Sequence, residues 1–374
     1  MAGGKKGGSW TAWVATAGLA LASAGGFLAW KHQELLTAWK VHQLPQAGIA
    51  EQRQILSSLA ENPDLSTGWL LYSLSQSTTP EEAEALGQGL VQISENLSEE
   101  ALDTHVARAA SLFKTMEPFA QAETMAWLAK AFSTESSPTL TERRSTATRR
   151  LLDFAYVSEE NSVQAAALQM SVGILKQNPP AEVMGSIKQL VSAGAKSESS
   201  QVQIQAITVA LNPKTDCLQE VAICLKSPHK EVRQAAILAL GPASETIMDE
   251  VLLPSLHDED QTIVHLTETA LQARGLREDQ IRLGKLMADP KPVKRLEVLD
   301  HLSATRDIDP MIWLKKMSND PSPAVRAAAA RALNQERTSQ SENQTAKVSF
   351  SEMNETVKNW VLSIKNHRHQ NNVT

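Results

Sequence analysis

Pro228-His229-Lys230-Glu231-Val232-Arg233-Gln234-Ala235-Ala236 returns later in the chain as Pro321-Ser322-Pro323-Ala324-Val325-Arg326-Ala327-Ala328-Ala329. Both runs continue to an Ala-Leu pair, Ala239-Leu240 and Ala332-Leu333. The apolar positions fall at i, i+3, i+4, i+7 and i+8, which is one face of an α-helix. The proline ahead of each valine suits the first turn of that helix, where a missing N–H costs nothing.

Weaker copies follow the same grid: Val163 to Met170, Val202 to Ala210, Ile263 to Leu271, and a run opening at Asp289-Pro290 with Val293 and Lys294. The anchors at 163, 202, 232, 263, 293 and 325 are separated by 39, 30, 31, 30 and 32 residues. A second helix fits between successive anchors, as at Thr246 to Leu256 or Asp279 to Met287. A unit of about 30 residues cannot bury its own apolar face, so the hairpins must stack on one another.

These residues resemble HEAT-like repeats of the phycobilisome-lyase type. The resemblance rests on Pro228, Val232, Arg233 and Ala236 and on Pro321, Val325, Arg326 and Ala329. It covers about residues 158–334. It implies an all-α fold, an α-solenoid of stacked helical hairpins, and is nearly silent on function, because a solenoid hosts many roles.

Ahead of this array, 33–156 reads as consecutive helices, either degenerate repeats or another α-helical module. Leu102, Val106, Ala109 and Phe113 share one helix face, as do Leu86, Leu90 and Ile93. Pro45, Asn62-Pro63, Thr79-Pro80 and Ser136-Ser137-Pro138 mark the breaks.

Residues 1–9 form a short tail, and Trp10 to Trp30 carries no charged side chain. Twenty-one helical residues reach about 31 Å, close to the hydrocarbon thickness of a bilayer. Trp10, Trp13 and Trp30 sit where interfacial tryptophans belong, and Lys31 follows. The segment is therefore expected to be a single-pass transmembrane helix, or else a signal peptide cleaved after Ala22-Ser23-Ala24. Lys5 and Lys6 precede it, while Lys31, Lys40 and Arg53 follow, and the reading leans towards an extracytoplasmic bulk.

At the other end, 335–347 is a polar linker. In 348–365, Phe350, Met353, Val357, Trp360 and Ile364 step by 3 and 4, as on an amphipathic helix. It is expected either to cap the solenoid or to bind a partner, with 366–374 a disordered tail.

The 374 residues are 42% hydrophobic but only 4% aromatic, and the net charge is -6. Such a chain has no general attraction to nucleic acid. Cys217 and Cys224, seven residues apart, should not bridge each other if they share a helix. His257-Asp258-Glu259-Asp260 with His265 reads as a solvated hairpin turn, not a metal site. Arg143, Arg144, Arg149 and Arg150 form the densest basic cluster, and 143 and 150 share a helix face. They and Trp360 are the candidate partner-binding residues. No catalytic, cofactor or metal residues emerge. The reading is a membrane-anchored scaffold for a protein or peptide partner, without catalysis of its own. The alternative, by analogy with chromophore lyases, is an enzyme or enzyme subunit.

Overall fold

Proline opens several of the helices. Asn62-Pro63, Thr79-Pro80 and Glu117-Pro118 each place proline at or next to the first helical residue. The Thr79 hydroxyl accepts from the Glu82 N–H, the Ser98 hydroxyl from Ala101 and the Thr141 hydroxyl from Arg144. Each satisfies an orphan donor at a helix start, worth about 1 kcal/mol.

The structure, a computed structural model, describes residues 32–134, 140–304 and 309–338, together with Glu355. Among these residues every regular element is helical. After α1 (32–43) come α2 (Ile49–Leu59), α3 (Pro63–Ser75), α4 (Pro80–Ser94), α5 (Glu99–Leu112) and α6 (Pro118–Thr134). Next are α7 (Glu142–Val157), α8 (Asn161–Ile174), α9 (Ala181–Gly194), α10 (Ser200–Ala210), α11 (Leu218–Val221) and α12 (Lys230–Leu240). The last six are α13 (Asp249–Leu252), α14 (Gln261–Ala273), α15 (Glu278–Ala288), α16 (Pro292–Ala304), α17 (Pro310–Met317) and α18 (323–338).

The chain divides into two compact units at Ile247 and Met248. In the first, α3, α5, α7, α9 and α11 pack one against the next as one layer. Likewise α4, α6, α8, α10 and α12 form a second, and hairpin contacts such as α3 on α4 join the two. Two layers of alternating helices, each touching its successor, are what an α-solenoid of stacked hairpins consists of. The two layers extend from α3 onward, and α6 packs closely on α8.

Small residues allow that approach. A methyl group on Gly173 of α8 would stand 3.0 Å from Phe132 Cβ and 3.1 Å from the Ala129 carbonyl of α6. Leu102, Val106, Ala109 and Phe113 are all buried, as are Leu86, Leu90 and Ile93, so the helix faces read from their spacing are the packed ones. In the second unit, Leu283, Val298, Leu302, Trp313, Leu314, Met317, Val325 and Ala329 form the core that joins α15 to α18.

The repeat motif has a mechanical core that its letters only partly disclose. Arg233 Nη1 donates to the carbonyls of Ser227 (2.9 Å) and Pro228 (3.3 Å). Arg326 does the same with Asp320 (2.7 Å) and Pro321 (2.9 Å), and Arg295 with Asp289 (2.7 Å) and Pro290 (3.2 Å). In each case the arginine folds back over the residues six and five before it and fastens the approach to its helix. Val232, Ala236, Val325 and Ala329 are fully buried beside these clasps. The copy opening at Asp289 is thus shifted by one residue from the spacing-based grid. Its arginine is Arg295 and its counterpart of Ala236 is Val298, while Val293 is 73% exposed. Where arginine is absent, glutamine substitutes: Gln164 Nε2 donates to the Ser158 carbonyl, and Gln52 and Gln121 reach carbonyls before their own helices.

The single-pass membrane localisation is corrected. Among the described residues no helix is long and apolar enough to cross a membrane. The longest, α6, has 17 residues, about 26 Å, where a crossing takes about 20 predominantly apolar ones. The anchor, the membrane as a partner and the extracytoplasmic placement of the bulk therefore have no structural support. Trp10, Trp13, Trp30 and Lys31, which carried that expectation, lie outside the described residues, and so does Trp360 with nearly all of 348–365.

Cys217 and Cys224 are buried free thiols. They do not share one regular helix. Cys217 caps α11, and Cys224 lies in the 3-10 turn Ala222–Lys226 that follows it. Burial pushes the Cys224 thiol up to about 11.

Candidate functional site

The layer formed by α3, α5 and α7 carries two adjoining depressions on its surface. Between α3 and α5 lies a cavity of about 570 Å³. Asp64, Leu65, Gly68, Trp69 and Tyr72 line it from α3, Thr104, His105 and Arg108 from α5, and Glu34 from α1. On α3 these residues fall at 64, 65, 68, 69 and 72, the stripe of one helix face. Trp69 and Tyr72 meet edge to face, with centroids 5.9 Å apart, and Tyr72 is 46% exposed. Gly68 keeps the floor open: a methyl there would stand 3.0 Å from Arg108 Nη1 and 3.6 Å from His105 Cε1.

His105 is the unusual member. It is 3% exposed, and its Nε2 lies 2.6 Å from Asp64 Oδ1. Burial pulls its pKa below the ordinary 6.5, against the opposing influence of the Asp64 hydrogen bond. A neutral ring facing a carboxylate carries its proton on Nε2 and donates it to Asp64. The Nδ1 lone pair is then the acceptor, and it is buried with no hydrogen-bond partner among the described residues. A buried acceptor left without a donor costs about 1–3 kcal/mol.

Between α5 and α7 lies the second depression, about 390 Å³, lined by Ala107, Ala110, Glu142, Arg143, Thr146, Ala147 and Arg150. It adjoins the first through Arg143, whose Nη1 reaches the Thr104 hydroxyl at 3.4 Å.

The arginine cluster read from the sequence is divided by the fold. Arg143 and Arg150 line this groove. Arg144 points the other way: it is fully buried and paired with Asp103 of α5, so it offers nothing to a partner. Arg149 pairs with Glu182 of α9 at 2.5 Å and lies 3.8 Å from Asp153. Arg108, His105, Trp69 and Tyr72 escaped the sequence reading. They come from helices about 40 residues apart, and only the pairing of α3 with α5 brings them together.

The second unit has its own groove of about 390 Å³, with Leu299 and Leu302 of α16, Leu314 of α17 and Arg331 of α18 on its walls. The acidic run at 258–260 is the turn into α14, with the Asp260 side chain accepting from the Thr262 N–H at 2.8 Å. His257 Nε2 lies 2.6 Å from the Lys285 carbonyl oxygen. Among the described residues no group of three or more His, Cys, Asp or Glu is placed to hold a metal ion.

With the clasped helices in place, the comparison with known families is direct. Residues 314–335, which span the end of α17 and most of α18, match the HEAT repeat family model. That stretch is a HEAT repeat. The matched stretch contains Pro321, Val325, Arg326 and Ala329 of the motif, so the HEAT repeat identified there includes one of the three arginine clasps. A search of the curated proteins found no match. Among solved structures, the crystal structure of an engineered protein matches with 17% sequence identity over 80% of this chain and 98% of its own, at a TM-score of 0.27.

Proposed function

We propose that this HEAT-like repeat protein is an interaction scaffold that binds a partner polypeptide on the α3/α5/α7 surface and carries out no chemical conversion itself. The observation that carries this reading is the composition of the paired depressions. Half-exposed aromatics, an open floor at Gly68 and the guanidinium of Arg108 lie together on one layer of a stacked-hairpin array. Tyrosine, tryptophan and arginine are the side chains that dominate binding hot spots. The repeat class points the same way, because stacked hairpins offer long surfaces to polypeptides.

The chemistry of the site favours binding over catalysis. His105 donates to Asp64, but the lining residues include no serine or cysteine for it to activate. The one hydroxyl beside it on α5, that of Thr104, already donates to the Glu100 carbonyl at 3.1 Å.

The test is photocrosslinking from benzoylphenylalanine placed at position 72. A matched probe goes at Ile223, which is similarly exposed at 48% in the 3-10 turn after α11. A discrete adduct from position 72 that is absent from position 223 supports the reading. Equal labelling from both positions, or none from either, removes it.

A further inference from the structure

We infer that the polypeptide docking on the α3/α5/α7 surface is an acidic extended segment with an aromatic or apolar side chain seated against Trp69 and Tyr72. The inference rests on the scaffold reading above and names the chemistry of its partner.

Charge complementarity is the first argument. The chain has 42 acidic residues against 36 lysines and arginines, so an arginine within it has ample opportunity to pair. Arg144, Arg149, Arg274 and Arg295 do so. Arg108, Arg143 and Arg150 make no ion pair with any described residue, and all three line the two adjoining depressions. A guanidinium held beside a cavity is a ready bidentate site for a carboxylate.

The second argument comes from hydrogen bonding. His105 is turned to Asp64, and Arg108 beside it presents donors that no carboxylate among the described residues meets. The charged groups near the ring are Asp64 from α3, Arg108 from α5 and Glu34, which lines the same cavity from α1. An acidic side chain of the docked segment meets the Arg108 guanidinium. Neighbouring helices pack about 8–10 Å apart, so the path from α3 across α5 to α7 is about 20 Å. An extended strand covers that in roughly six residues.

The polyanion alternative is a nucleic-acid strand. Glu34, Asp64 and Glu142 are interleaved with the three arginines, and an unbroken run of phosphates would meet each of them. A peptide can place carboxylates opposite the arginines and neutral residues opposite the acids, so the peptide is the better match.

The probe is a fluorescein-labelled peptide of glutamates flanking one central phenylalanine, titrated against the full chain by fluorescence anisotropy. The same peptide with lysine for glutamate and an oligothymidylate of equal length serve as comparisons. Saturable binding of the acidic peptide is expected, weakened about tenfold or more by Arg108→Glu and by the paired change Arg143→Glu with Arg150→Glu. The two sets of substitutions lie on different helices, and circular dichroism shows which variants keep their fold. Gly68→Ala, which closes the space before Arg108 without altering charge, should weaken binding as well. Equal binding of acidic and basic peptides, or indifference to both arginine variants, overturns the inference. Tighter binding of oligothymidylate than of the acidic peptide overturns it in favour of nucleic acid. If the acidic peptide fails while the adduct from position 72 persists, the partner's acidity is wrong and the scaffold reading stands. If both fail, the scaffold reading falls with it.

Discussion

Arg144 of α7, fully buried, and Asp103 of α5, 14% exposed, form an ion pair that ties together two successive helices of one layer. The same carboxylate accepts from the Thr141 hydroxyl at 2.7 Å, and Arg144 Nη2 donates to the Glu99 carbonyl at 3.2 Å. Replacing the arginine with an apolar side chain strands a carboxylate in the interior. Arg144→Met should therefore destabilise the first unit by about 3–5 kcal/mol, read from the urea unfolding midpoint. Arg143→Met, one residue away on the groove, should change stability by less than about 0.5 kcal/mol.

The second unit has an equivalent tie with a pH signature. Arg295 of α16 pairs with Asp320, at 2.7 Å from Nε and 2.9 Å from Nη2, and both side chains are more than nine-tenths buried. Burial alone would raise the Asp320 carboxyl. Hydrogen bonds from Arg295 and the Ser322 N–H, with the charges of Arg295 and Arg326, outweigh it and hold the pKa below the ordinary 3.8. A carboxylate depressed in the folded state stabilises above its unfolded value and loses that contribution as pH falls through the folded one. Asp320→Asn should cost roughly 3 kcal/mol at neutral pH. The gap between variant and parent should begin to narrow below about pH 3.8 and close only as pH falls through the lower folded value. A gap that stays constant with pH would show that the pair is not the source.

For His105 the sign is the same, and the window lies at higher pH. Its folded pKa lies below the ordinary 6.5, so the unfolded chain takes up the proton first. Stability is complete above about pH 6.5 and declines as pH falls below it. His105→Gln should flatten that segment of the stability curve and leave the decline attributable to Asp320 in place. The measurement is thermal unfolding of the first unit across the pH range on both sides of 6.5.

Gly173→Val tests the approach of α8 to α6. The added side chain meets the Ala129 carbonyl and the Phe132 Cβ of α6, neither of which can swing away. Overpacking of this kind costs about 1–3 kcal/mol. Gly185→Val on α9, where nothing lies within 4 Å of an added methyl, should not destabilise, since valine is a slightly better helix former than glycine.

Helical character was legible in the sequence because the period of 3.6 survives imperfect repetition. Leu102, Val106 and Ala109 declare their face by spacing alone. The clasp was legible only as letters. Arg233 and Arg326 were recognisable after a valine, but Val293 imitates that valine and hid Arg295 one position further on. The glutamine versions at 52, 121 and 164 share no letter with the arginine ones and are recognised by their carbonyl partners. The binding surface was least legible. Arg143 and Arg150 could be placed on one face of one helix, but nothing local brings α3 to α5. No spacing rule separates Arg144, which turns inward, from its neighbours.

The arginine clasp has a consequence for how the chain is made. Arg233, Arg295 and Arg326 each close on carbonyls five and six residues upstream, so each clasp needs no residue that has yet to be synthesised. A nascent chain can fasten the entrance to each such helix as soon as that helix clears the ribosome, before the following hairpin exists. Contacts this local keep loop-closure entropy small, and they suit folding from the N-terminus at the pace of translation. The array can thus grow by addition, each new hairpin arriving at a surface whose leading edge is already set.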